Sequence, residues 1–378
     1  MSVKSKPNSI YLDHNASTPI AEPVRAAMRP FIETAYGNPS SGHWASLPAI
    51  DGLEAARTKV ASFLGCATNE IVFTSGGTEA NNLALLGVWF SRARTGNHII
   101  TSAIEHDAIR APLRFLKRLG AKVTIVPVDR SGRVDPERVA KAITSETCLI
   151  SIMHANNETG VIQPIQAISS IAKSANIPFH TDAAQSAGKI STRVDDLGVD
   201  MLSLAGHKMY GPKGVGALYL RDGLQISPHN HGAGHENGQR AGTESALLTT
   251  GLGTACDYAA ANNYDHVRDL RDALWQQLSE QLGDRVALNG HPEHRVPNTL
   301  NVSFPNQVGA DILAKLDGVA AATGSACHAG CVDMSPVLIA MRTPVHVGMG
   351  AIRLSLGHQN TRAEIDNVAD RLVEIVSR

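Results

Sequence analysis

Glu70-Ile71-Val72-Phe73-Thr74-Ser75-Gly76-Gly77-Thr78-Glu79 sets a β-rich run, a glycine turn and a helix start side by side. The run is apolar and partly β-branched, which favours extended backbone. Ser75, Gly76 and Gly77 break it, and a helical pattern then runs from Thr78 to about Phe90. Further along, strand-like segments at 98–102, 122–128, 148–153 and 177–181 alternate with helical ones at 107–119, 137–143 and 166–175. Segments 201–204 and 215–220 add two more strands. Such alternation predicts an α/β fold, a mostly parallel sheet with helices on both faces. Past residue 262 the pattern changes: a long polar helix (267–282), a strand (299–304) and a helix near 310–316 follow. The last helix opens with Thr361 and Glu364 in capping-box spacing, and Ile365, Val368, Leu372 and Ile375 share one face. This end of the chain reads as a smaller α+β domain.

The chain has 378 residues, 43% hydrophobic and 18% charged, with a net charge of −1, enough to bury a large core and without a footprint for nucleic acid or an anionic membrane. The first nine residues lack the apolar core of a signal peptide, and the densest apolar stretch, 83–90, is too short to span a bilayer, so a cytoplasmic location is expected. Five cysteines, at 66, 148, 256, 327 and 331, are odd in number and mostly scattered, which points to reduced thiols.

Three constellations could carry chemistry. A glycine turn opening a helix at 75–79 offers free backbone donors and partial positive charge to a phosphate, although alone it could equally be a plain turn. Asp182, in His180-Thr181-Asp182-Ala183-Ala184-Gln185, closes a strand at the sheet edge where α/β folds bind ligands. Lys208 follows at the end of the next strand-like run, between Gly206-His207 and Gly211-Pro212-Lys213-Gly214. A desolvated lysine has a lowered pKa and can attack a carbonyl. Pyridoxal 5'-phosphate (PLP) needs a Schiff-base lysine, a carboxylate at its ring nitrogen and a phosphate cradle, and these stretches could supply all three.

Read in order, the segments Tyr11-Leu12-Asp13-His14-Asn15-Ala16-Ser17-Thr18-Pro19, Tyr36-Gly37-Asn38-Pro39-Ser40-Ser41, Phe73–Glu79, Ile104-Glu105-His106 and Ala155-Asn156-Asn157-Glu158-Thr159-Gly160 form a series. It continues through Asp182–Gln185, Gly206-His207-Lys208, Gly242-Thr243-Glu244, Gly324-Ser325-Ala326-Cys327 and Ile352-Arg353-Leu354-Ser355-Leu356-Gly357. The series resembles the signature blocks of the cysteine desulfurases, with the selenocysteine lyases as near relatives. Both belong to the class V aminotransferase group of fold-type I PLP enzymes. The resemblance spans residues 11–357, nearly the whole chain.

What the resemblance implies can be placed residue by residue. The fold would be a large PLP-binding domain, residues 16–262, with a mostly parallel seven-stranded sheet. A small α+β domain would be formed by residues 1–15 and 263–378. Lys208 would hold PLP and move the substrate Cα proton; Asp182 would keep the ring nitrogen protonated. Gln185 would meet the ring phenolic oxygen and His106 would stack on the ring. Gly77, Thr78 and His207 would hold the phosphate, with Thr243 reaching it across a homodimer interface. Arg353, helped by Asn157, would pair with the substrate carboxylate. Cys327 would be the nucleophile that takes the sulfur of L-cysteine as a persulfide, releases L-alanine, and hands sulfur to an acceptor protein. Iron–sulfur cluster assembly, tRNA thiolation, DNA phosphorothioation and selenium supply are all destinations for such chains. L-selenocysteine is the alternative substrate, suggested by Ser335-Pro336-Val337-Leu338 and by 105–110. An ordinary aminotransferase would have no use for a loop cysteine, and a non-enzymatic scaffold would not need Lys208, Cys327 and Arg353 together.

Four positions depart from the family pattern. Ala205 stands where serine often precedes Gly-His-Lys, removing one hydroxyl from the phosphate cradle. Ala233 replaces a glycine in His231-Gly232-Ala233-Gly234-His235-Glu236. His229, His231 and His235 there have a metal-like spacing, but they read as loop residues, and no metal is expected. Asn237 occupies a commonly basic position. Cys331 lies four residues beyond Cys327 and reads as incidental, although it could receive the persulfide or pair with Cys327 on oxidation.

Overall fold

The computed structural model describes residues 9–92, 96–323 and 333–377. Its strands are β1 (Ile10–Tyr11), β2 (Ile71–Thr74), β3 (His98–Ser102), β4 (Lys122–Val126), β5 (Thr147–Ser151), β6 (Phe179–Asp182), β7 (Met201–Ala205) and β8 (Gly216–Leu220). After these come β9 (Ala287–Leu288), β10 (Thr299–Ser303), β11 (Val319–Ala320) and β12 (Ala351–Ser355). Seven form one sheet in the order β2-β8-β7-β6-β5-β3-β4, and only β8 runs against its neighbours. This is the mostly parallel seven-stranded sheet expected from the sequence.

Alternate residues of its strands enter opposite cores. Ile100, Ile150, Leu202 and Ala217 pack on one face; Ile99, Leu149, Met201 and Leu218 pack on the other. Both faces are covered, which is why these strands read as continuous apolar runs and not as alternating ones. A separate core gathers Leu300, Val302, Ile352 and Leu354 from the β12-β10-β9 sheet, helix Asp265–Leu282 and helix Arg362–Ser377. Ile10 and Leu12 join that core, because β1 pairs in parallel with β11. The N-terminal segment thus runs beside the C-terminal third of the chain.

The capping box at the last helix is formed: Thr361 N–H donates to Glu364 Oε2 at 2.9 Å and Glu364 N–H to Thr361 Oγ1 at 3.3 Å. Three helices, Glu22–Glu33, Leu47–Leu64 and Ala246–Ala261, were not among the segments read from the sequence. Among the described residues no helix is long and apolar enough to cross a membrane.

Candidate active site

β2, β3, β5, β6 and β7 all point their C-terminal ends to one edge of the sheet, and a cavity of about 220 Å³ opens there. Its wall brings together Gly77, Thr78, His106 and Asn157 with Asp182, Gln185, His207 and Lys208. Eight of the residues singled out from the sequence therefore converge. A larger cleft of about 560 Å³ lies at the opposite edge, among Gln166, Lys173, Asp195 and Arg221, and holds none of them.

Each strand end delivers one group. β2 turns at Gly76, whose φ of +147° excludes ordinary side chains, into helix Gly77–Arg92. The first N–H groups of that helix have no intrahelical acceptor and face the cavity with its partial positive charge. A Cβ at position 77 would lie 3.3 Å from the Ala205 Cβ, so glycine keeps this wall open. Ala205 itself lines the cavity, which places the missing hydroxyl beside the helix start.

Asp182 ends β6 and is 6% exposed. Asn81 Nδ2 donates to its Oδ2 at 2.7 Å and Ala184 N–H to its Oδ1 at 2.9 Å, which fixes the carboxylate in the wall. His106 caps helix Asp107–Arg118; its Nδ1 accepts from Ala108 N–H at 3.1 Å, so a neutral ring carries its proton on Nε2. Lys208 sits in the short helical turn after β7, and its Nζ donates to the Asn15 carbonyl. Burial, followed by the charge of Arg353, lowers its pKa to about 8, against the opposing pull of Asp182 and Asp13. Burial, with Lys208 and Lys213, also lowers His207 to about 4, so that ring is neutral.

These residues fit PLP. A lysine that readily loses its proton, a fixed carboxylate and a helix N-terminus line one small cavity, the three requirements of that cofactor. Arg353 stands just outside: its Nη1 donates to the Asn157 carbonyl at 3.0 Å and its Nη2 to Asp13 Oδ1 at 2.7 Å. Period-2 alternation in β12 sends Ile352 and Leu354 into the core and Arg353 and Ser355 toward the N-terminal segment, where the Ser355 hydroxyl accepts from Asn15 N–H at 2.9 Å. Thr243 is exposed and does not line the cavity of its own chain. Cys327 and Cys331 lie outside the described residues. Among those described, no cluster of three or more His, Cys, Asp or Glu has the geometry of a metal site.

Sequence reasoning gave no role to Asn81, Asn15, Asp13 or Glu105. Asn81 was legible as the residue one turn beyond Gly77 on the same helix. Asn15 could not be found by spacing: its carbonyl, amide and side chain meet Lys208, Ser355 and Thr299, which are remote in sequence.

Fold and cavity define a PLP-dependent enzyme of the aminotransferase type. Residues 10–368 match the family described as Aminotransferase class-V, and the chain belongs to that family, in its cysteine desulfurase branch. It is 45% identical to a cysteine desulfurase IscS of Dictyoglomus turgidum, over 98% of this chain and 95% of that one. A second cysteine desulfurase IscS, of Methanosarcina thermophila, is 42% identical over 100% of this chain and 94% of that one. A solved NifS-like protein superposes with a TM-score of 0.91 at 37% identity, covering 98% and 99% of the two chains. A structure described as SspA in complex with cysteine gives 0.81, also at 37% identity, with 92% and 99% covered.

Proposed function

We propose that this chain is a cysteine desulfurase that converts L-cysteine to L-alanine on PLP held by Lys208, with the sulfur passing to Cys327 as a persulfide. The observation that carries this reading is the convergence of Lys208, Asp182 and the Gly77 helix start on one cavity, with Arg353 joined to its wall through Asn157. When bound, PLP supplies an electron sink that makes the substrate Cα proton acidic. Asp182 holds the ring nitrogen protonated and Gln185 donates to the phenolic oxygen. His106, in the cavity wall, would pack against the ring. Gly77, Thr78 and His207 take the phosphate, with Thr243 of the partner subunit in a homodimer. Lys208, whose pKa is lowered to about 8, removes the Cα proton through its free amine and later returns it. Arg353 and Asn157 orient the substrate carboxylate. The Cys327 thiolate forms a bond to the substrate sulfur as the Cβ–sulfur bond breaks, and the departing carbon takes up a proton to become alanine. In this reading residues 16–262 form the cofactor domain, and residues 1–15 with 263–378 form the small domain that carries Cys327. The sulfur then goes to an acceptor protein, with iron–sulfur cluster assembly as the proposed destination. The desulfurase names of the relatives favour cysteine over selenocysteine.

The test is alanine release from L-cysteine by the purified holoenzyme, measured beside Cys327→Ala. The variant is expected to keep the visible cofactor band and lose turnover. Retained turnover would remove Cys327 from the role given to it.

A further inference from the structure

Lys189 is a buried lysine, 7% exposed, that the proposed reaction does not use. It follows Gln185 by one turn, in the bend after β6, and its Nζ donates to Gln185 Oε1 at 3.0 Å and to Asn15 Oδ1 at 3.3 Å. Gln185 Nε2 in turn donates to the Asn15 carbonyl at 2.9 Å, the same oxygen that accepts from Lys208. A side-chain amide can point either way round unless its neighbours decide. Here Lys189 donates to the amide oxygen, and the Asn15 carbonyl, which only accepts, faces the amide nitrogen. Burial, then Lys208 and Arg353, lowers the Lys189 pKa far below the usual lysine value. Even as a neutral amine it has two N–H groups for its two acceptors, so the contact survives either charge state.

We infer that Lys189 is a positioning residue that fixes the polarity of the Gln185 amide, so that the catalytic cavity receives an N–H donor and not a carbonyl. Gln185 lines that cavity, and a donor there stabilises an anionic ligand oxygen where a carbonyl would repel it. The inference rests on the PLP reading, in which that oxygen is the cofactor's phenolate. Holding negative charge on the phenolate draws it away from the Lys208 nitrogen and lowers that nitrogen's affinity for its proton. The charged and titratable neighbours of Lys189 are Lys208 in the turn after β7, Arg353 on β12 and His14 on the N-terminal segment. On its outer side Arg268 and Arg271 of helix Asp265–Leu282, with Asp265, and Glu293 with Arg295 of the next loop line a second cavity that Lys189 also borders.

The test is a pH titration of the visible cofactor band in holoenzyme carrying Lys189→Met, Gln185→Ala, both changes, or neither. Lys189→Met is expected to raise the midpoint by about half to one pH unit, the worth of one hydrogen bond. In the Gln185→Ala background the same change should move it no further, a result that a merely structural lysine would not give. Lys189→Arg keeps the donors and should titrate with the wild type; it stands in if the methionine variant does not fold, and a shifted midpoint there overturns the inference. An unmoved midpoint in Lys189→Met, or equal shifts in the two backgrounds, also overturns it. A wild type without a visible band, even with added PLP, overturns the cofactor reading, and this inference with it.

Discussion

The Arg353 guanidinium is already paired within its own chain: Nη2 donates to the Asp13 carboxylate at 2.7 Å. Arg353 is only 7% exposed, so Asp13 neutralises a charge that would otherwise be costly to bury. A substrate carboxylate seeking the same fork must displace Asp13 or share the guanidinium with it. Asp13→Asn is therefore expected to lower KM for L-cysteine several-fold and to lower Tm. Steady-state kinetics and thermal melts check both. A raised KM would show instead that Asp13 holds Arg353 in its binding orientation.

Lys208 ties pH to cofactor capture. Only the free amine attacks the PLP aldehyde, and burial with Arg353 sets its pKa at about 8 in the folded protein. Capture by apoenzyme should then speed up about tenfold per pH unit below that value and level off above it. The linked stability has a fixed sign. The unfolded chain, with lysine near 10.5, binds the proton more tightly than the fold does. The resulting cost to folding is full below about 8 and fades as pH rises toward 10.5, so the apoprotein gains stability through that window. Arg353→Met removes a repelling charge and should move the capture midpoint upward. Stopped-flow absorbance at a series of pH values measures it.

How much of this was legible follows from how each residue is placed. Asp182 ends a strand, Gly77 begins a helix and Lys208 lies in the turn just after a strand, so their local pattern pointed to the sheet edge where they meet. Helices Leu47–Leu64 and Ala246–Ala261 were missed for the opposite reason. They approach so closely that a Cβ on Gly253 would lie 2.8 Å from the Ala56 Cα. Small residues make that approach possible, and they leave no apolar stripe at helical spacing. Contacts such as Asn15 with Lys208, or Lys189 with Asn15, depend on how segments close in space, which a single chain's spacing does not record.

Glu105 gives a stability signal with a definite pH sign. It precedes His106, is fully enclosed, and accepts from Ser102 Oγ at 2.5 Å and Met153 N–H at 3.0 Å, while its Oε2 has no partner. Burial raises its pKa from 4.5 to about 8, so the folded protein binds this proton more tightly than the unfolded chain. Stability from this group is lost as pH climbs from 4.5 to about 8, and the full cost stands above that. Glu105→Gln should therefore melt close to the wild type at pH 5 and above it at pH 9, by at least about 2 °C. Thermal melts across the range check it, and a constant offset would mean that the carboxyl does not titrate in this window.

The glycine-rich block at 231–236 is held to the sheet by one buried ion pair, and this makes the largest expected loss of stability. Arg57 donates through Nη1 and Nη2 to both oxygens of Glu236 at 2.9 and 2.7 Å, and Phe73 N–H adds a bond to Oε2 at 2.8 Å. The Arg57 guanidinium also lies 4.7 Å over the Phe73 ring, so the pair is clamped against β2 just before the cofactor turn. The Glu236 side chain is 1% exposed, and removing its partner strands a carboxylate in the core. Arg57→Ala should cost about 3–5 kcal/mol. Arg57→Met with Glu236→Gln, which removes both charges, should recover much of that loss, because the penalty lies in the unpaired charge more than in the missing bond. Denaturant unfolding of the two variants and the wild type separates these outcomes, and equal losses in both would show that the bidentate geometry itself holds the block in place.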